Sequence, residues 1–391
     1  MDRSLSRRSL MRAAAGGAGA LALAGCGVPP AYVPPGERAA PDRSKREHRL
    51  DFANWPLYID VAEGNEQVRP TLREFTRRTG ISVKYVEEIN DNDEFFGKVS
   101  PALQNGQPLD RDIIVPSDWM GARYVKLGWV QRLDSARLGN VRANLDPLLR
   151  DPPFDPGRHH SVPWQSGITG IAYNRKRLGR EIRSVSDLWA DDLRGRVTLF
   201  SAMDEAPALL LMGRGADSRA FTADQYYDMV DEVRRLVAKK HIRRFTGNDY
   251  TKDLASGDVL ACQAWSGDVI QLQADNEDIE FVVPEEGGEL WSDSLMVPNK
   301  AAHKANAEAL MNYYYEPEVA ARLAAWVNYV CPVPAARDVL ASSKDKDTAA
   351  LAEDPLIFPT ASMRRRLQVM RDITPEERPG FSSAWNKVVG L

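Results

Sequence analysis

The stretch 50–86 decides the fold: LDFANW at 50–55, NEQVRPTLREFTRRTG at 65–80 and ISVKYV at 81–86. The first string carries the apolar, aromatic-rich pattern of a strand. In the second, Val68, Leu72 and Phe75 fall on one helical face, and Gly80 stands where a helix end wants a residue free to take positive φ. The third string is again a strand. Strand, helix and strand make a β-α-β unit, in which the two strands run parallel and the helix is the crossover.

The same pattern continues outward. DIIVP at 112–116 reads as another buried strand, with Ser117, Asp118 and Trp119 just past its end. Open α/β sheets bind ligands outside the carboxyl ends of their strands, which marks the segments after Ala53 and Val115. Further strands are expected at 170–174, 196–200, 260–265, 281–284 and 294–298. Helices are expected at 186–189, 205–212, 223–238, 305–315 and 318–326. The whole reads as two α/β lobes of similar size, and 391 residues are enough for two cores.

The N-terminus is a different kind of segment. SRRSLMR at 6–12, a run of small apolar residues over 13–24 and LAGC at 23–26 give the basic region, short apolar region and cleavage region of an export signal. The paired arginines resemble a twin-arginine signal. LAGC resembles the lipobox of bacterial lipoproteins, in which Cys26 is lipidated and becomes the first mature residue. Residues 26–47, rich in Pro, Gly and charge, read as a disordered tether. Removing residues 1–25 takes away four Arg and Asp2, so the net charge of -4 becomes 47 basic against 54 acidic residues, or -7. That acidic balance excludes the electrostatic footprint of a nucleic-acid binder.

No phosphate-binding loop, HExxH, GxSxG or CxxC motif is present. His159 and His160 are adjacent in a turn-rich segment and read as solvated loop residues rather than metal ligands. No cofactor and no metal are expected. What the sequence offers instead is aromatic residues beside acids at strand ends: Trp55 and Tyr58, Trp119, Trp265 with Asp268, and Trp291 with Asp293. Aromatic faces attract organic cations, and carboxylates form charge-assisted hydrogen bonds with ammonium groups.

Seven strings in order carry a specific resemblance: FANWPLYID at 52–60, DIIVPSDWM at 112–120, HSVPWQSGITGIAYN at 160–174, DLWADDLRGRVTLFS at 187–201, CQAWSGD at 262–268, EEGGELWSDSLMVP at 285–298 and NYVCPVP at 328–334. The chain resembles the periplasmic spermidine/putrescine-binding proteins of polyamine ABC transporters. The resemblance implies a two-lobed periplasmic-binding-protein fold, each lobe a mostly parallel sheet flanked by helices, with the ligand between the lobes. Residues 48–164 and 293–336 would form lobe 1, and 165–292 and 337–391 lobe 2, with crossings near 163–167 and 292–294.

It also implies roles for particular residues. Trp55 and Tyr58 flank an aliphatic amine; Ser117 and Trp119 supply a polar and an aromatic contact; Glu205, Asp268 and Asp293 hold ammonium groups; and Trp265, Trp291 and Tyr329 are aromatic walls. One departure stands out. Pro56-Leu57 occupies the place of the family's polar and acidic pair, so one acid is missing, and Asp118 is the candidate to replace it. Cys262 and Cys331 are left over as either a disulfide or two buried thiols. The expected protein is a lipid-anchored, non-enzymatic, monomeric solute receptor outside the cell membrane. It would capture putrescine or spermidine and deliver it to a permease and its ATPase. A receptor for another cationic or zwitterionic solute, such as an amino acid, and an exported hydrolase are the alternatives.

Overall fold

A computed structural model describes residues 39–65 and 67–390. The export signal and Cys26 lie outside the described residues.

The opening β-α-β unit forms as the sequence indicates. β1 (Arg49–Asn54) and β2 (Ser82–Glu87) pair in parallel, from Arg49 opposite Ser82 to Asn54 opposite Glu87. Between them α1 (Pro70–Thr79) starts on a proline, whose missing N–H costs nothing in a first turn, and ends on Gly80 at φ 73. α2 (Asn92–Gln104) follows, its first turn closed by Asp91, whose side chain accepts from Glu94 N. The segment 112–116 is extended but holds only isolated bridges, from Ile113 to Phe52 and from Ile114 to Met296. α3 (Asp118–Leu127) then begins directly after Ser117.

The second sheet turns on β3 (Val162–Asn174), which is buried along its whole length. β4 (Val197–Phe200), α4 (Pro207–Gly213), α5 (Ala223–Ala238), β5 (Ile242–Thr246), α6 (Tyr250–Ser256), β6 (Ala261–Trp265), α7 (Ser266–Asp275), β7 (Ile279–Val282) and β8 (Gly288–Leu295) follow in turn. After them come α8 (Lys304–Tyr314), α9 (Pro317–Val327), the short β9 (Leu367–Gln368) and α10 (Arg378–Val389). The sheet order is β5-β4-β6-β3-β8-β9, with β7 also on β3. β4 runs parallel to β5 and β6, whereas β3 runs antiparallel to β6, β7 and β8. The sheet is therefore mixed where the sequence suggests a mostly parallel one. β8 begins before the expected 294–298 because Glu289, Ser292 and Asp293 pair with β3; their polar side chains hide a strand from any reading of apolar runs.

Two hydrophobic cores result. One gathers residues from Leu50 to Ile168 and from Val283 to Leu367; the other runs from Ile171 to Ile279 and from Ile373 to Val388. The chain thus changes core just after Ile168 and again near Phe281, which touches both, rather than at 163–167 and 292–294. Residues 337–391 do not all join the second lobe as expected. Leu340, Ala352, Ile357 and Leu367 pack in the first core, and only the end of the chain, with Phe381 and Trp385 of α10, enters the second.

The tether expected over 26–47 does not include residues 42–47. Ser44 is buried, Asn306 N donates to its Oγ at 3.1 Å, and Ala305 N donates to Asp42 Oδ2 at 3.2 Å, so this segment caps α8, whose own N-cap His303 supplies no side-chain bond. His303 itself lies between Glu47 Oε2 at 3.0 Å and Asp112 Oδ2 at 2.9 Å.

Candidate functional site

The end of β1, the end of the extended 112–116 segment and β8 converge on one carboxylate. Asp293 is 6% exposed, and its Oδ2 accepts from Tyr58 OH at 2.8 Å and its Oδ1 from Ser117 Oγ at 2.6 Å. Ser117 is held in turn by Asn92, which donates to its Oγ at 2.9 Å and accepts from its backbone N at 3.1 Å. Burial pushes the Asp293 carboxyl up to about 6, although its two hydroxyl donors pull the other way.

A second carboxylate has the same design. Asp268, in the first turn of α7, accepts from Tyr329 OH at 3.0 Å and from Tyr250 OH at 2.8 Å. Its carboxyl is also raised, chiefly by burial. The aromatic rings join the two acids. Tyr58 meets Tyr329 edge-on at 5.9 Å between centroids, and Tyr329 meets Trp291 at 5.5 Å. Gly267 makes room for this: a Cβ there would stand 2.7 Å from the Tyr329 ring. Trp265 stacks on Phe200 at 4.5 Å.

Glu205, in the turn before α4, is raised to about 8 by burial first and then by Asp204, Asp91, Asp293 and Asp93. Glu289, on β8, is likewise raised to about 8 by burial and by Glu205. Asp204, next to Glu205, is paired with Arg378 at 2.7 and 2.9 Å. Trp55, after β1, is half-buried and donates its indole N–H to Val115 O at 2.8 Å. Trp119 packs against the first core, its indole N–H buried without a partner.

One expectation is corrected and one open alternative is decided. Asp118 is not a free acid replacing the one missing at Pro56-Leu57: Arg158, 7% exposed, reaches its two oxygens at 3.3 and 3.2 Å, and Ser294 Oγ donates to it at 2.5 Å. Its charge is already answered. Cys262 and Cys331 are both free and buried, one in each core, and Cys331 Sγ donates to Val333 O at 3.4 Å, so no disulfide joins them. Of the other expected residues, Tyr58, Ser117 and Tyr329 bond to Asp293 or Asp268, and Trp291 and Trp265 meet the tyrosines that do so.

Sequence reasoning missed Asn92, Gln165, Tyr250 and Glu289. Tyr250 opens α6, far from any aromatic-acid string, and nothing local marks it. Gln165 and Glu289 sit inside quoted strings, and their pairing opposite Asp293 and Thr169 appears only with the strand register.

Comparison with known proteins places this geometry. Residues 71–359 match the family of bacterial extracellular solute-binding proteins. The spermidine/putrescine-binding periplasmic protein of Escherichia coli K12 is 26% identical over 325 residues, covering 83% of this chain and 87% of that protein. The putrescine-binding periplasmic protein PotF of the same organism is 28% identical over 358 residues, covering 87% and 90%. Among solved structures, the spermidine/putrescine ABC transporter substrate-binding protein PotD of Streptococcus pneumoniae superposes with a TM-score of 0.73 at 26% identity, covering 87% of this chain and 98% of that one. With its two lobes, and with the match spanning most of its length, the chain belongs to the bacterial extracellular solute-binding proteins.

Proposed function

We propose that the protein captures a polyamine between its lobes and hands it to the permease of an ABC importer. One observation carries this reading. Asp268 and Asp293 are both raised by burial, take tyrosine hydroxyls from a cluster of joined rings, and have no basic side chain bonded to them among the described residues. Buried carboxylates with no cation beside them are unfavourable when ionised, and a multiply charged organic cation with an aliphatic middle answers charge and rings together. The names of the relatives support the same class of ligand. Closure then follows as a population shift, because a ligand touching Asp293 from one lobe and Asp268 from the other favours the form in which both are near. The reading is of a receptor rather than a catalyst, exported and held to the outer face of the cell membrane through Cys26.

The test is calorimetry and thermal unfolding of residues 27–391 with putrescine, spermidine, spermine and, as controls, neutral amino acids. A micromolar ligand at millimolar concentration should stabilise the fold by about 4 kcal/mol. Asp293→Asn should weaken polyamine binding at least tenfold. Unchanged affinity in that variant would remove Asp293 from the site, and no response to any polyamine would end the polyamine reading.

A further inference from the structure

β3 and β8 present one face in three successive rows: Gln165 opposite Asp293, Gly167 opposite Trp291 and Thr169 opposite Glu289. The pleat sends paired residues to the same side, and every second residue along a strand shares that side. Contacts identify the side. Asp293 meets Tyr58 and Ser117, and the Trp291 indole lies over Gly167, where an added Cβ would come within 2.1 Å of it. The third row continues to Trp265, which pairs with Thr169 from β6.

Glu289 therefore stands on the same face as Asp293 and Trp291. It is 7% exposed and makes no ion pair among the described residues. Among the charged neighbours of Glu289, Glu205 contributes most, after burial, to raising its carboxyl. An independent sign of a missing donor lies at the other end. Gln165 is 1% exposed, yet its carboxamide oxygen accepts no hydrogen bond, and its strand partner is Asp293. Asp293 and Glu289 are four residue steps apart on the strand, about 13 Å along the backbone. A four-carbon diamine anchored at Asp293 falls short of that span. A triamine or tetraamine lying along Trp291 reaches it.

Resting on the polyamine reading above, we propose that Glu289 is a specificity-determining residue which, with Glu205, holds the far ammonium of a tri- or tetraamine, so that the site measures chain length from Asp293 to Glu289. The acid absent at Pro56-Leu57 then has a counterpart on β8.

Calorimetric titration of residues 27–391 and of Glu289→Gln with putrescine, spermidine and spermine tests this. Wild type should bind spermidine or spermine at least tenfold more tightly than putrescine. Glu289→Gln should remove most of that margin while leaving putrescine affinity within twofold. Equal affinity of wild type for diamine and triamine would overturn the proposal without any variant. So would an equal loss for all three amines in Glu289→Gln, which marks a general charge effect. In both cases polyamine capture itself stands. Failure of every polyamine to bind wild type overturns that reading and the length selection with it.

Discussion

At the scale of the residue, the site is built from buried acids that no basic side chain pairs among the described residues, two of them oriented by hydroxyls. Asp293 and Asp268 each take two hydroxyl donors, which orient a carboxylate without neutralising it. This gives pH two opposite effects. Glu205 and Glu289 are raised from 4.5 to about 8, so the folded empty protein binds protons that the unfolded chain does not. Their contribution to stability is fully present below about 4.5 and is lost as pH rises through about 8. A bound ammonium instead favours the ionised acids. Empty protein should therefore melt at lower temperature at pH 8.5 than at pH 6, while polyamine affinity rises over the same interval and binding at pH 7 releases protons. Melting curves across pH, and calorimetry in two buffers of different ionisation enthalpy, measure both; proton uptake on binding would contradict the assignment. The acids next to tryptophans were legible from local strings. Glu289 was not, because its meaning depends on what lies across the strand pair.

At the scale of the element, β3 and β8 set the positions of the site. Ser166 and Ser292 share a hydrogen bond of 2.7 Å on one face, while Gly167 and Trp291 meet on the other. Gly167 is glycine because the indole occupies the space of its Cβ. Gly167→Ala should force Trp291 aside, costing about 1–3 kcal/mol by overpacking. Urea unfolding should record that loss, and polyamine affinity should fall with it; a variant of wild-type stability would show that the indole moves freely. Local patterns found the helices well where caps or breaks are explicit, as at Gly80 and at Thr222, whose hydroxyl and Gln225 form a capping box before α5. They failed on β8, where alternate polar residues look like a loop, and on 112–116, where apolar residues make bridges rather than a continuous ladder.

At the scale of the whole molecule, two cores share one continuous strand, β3. The fold class could be read from the order of elements, but the assignment of 337–367 to the first core could not, because short helices and turns carry no mark of the surface they will cover. The same separation of cores decides the thiols. Cys262 lies in the second and Cys331 in the first, so a thiol count on denatured residues 27–391 without reductant should find two, and finding none would mean the cores approach as they do not here.

The clasp formed by Asp42, Ser44 and Glu47 on α8 and His303 has a mechanical meaning. It fastens residues 42–47 to the first lobe before β1 begins, so a pull on the chain ahead of them is borne by α8 and does not reach β1, the strand that leads into Trp55 and Tyr58. On the proposed reading of a membrane-held receptor, the first lobe is thereby the stator and the second its rotor.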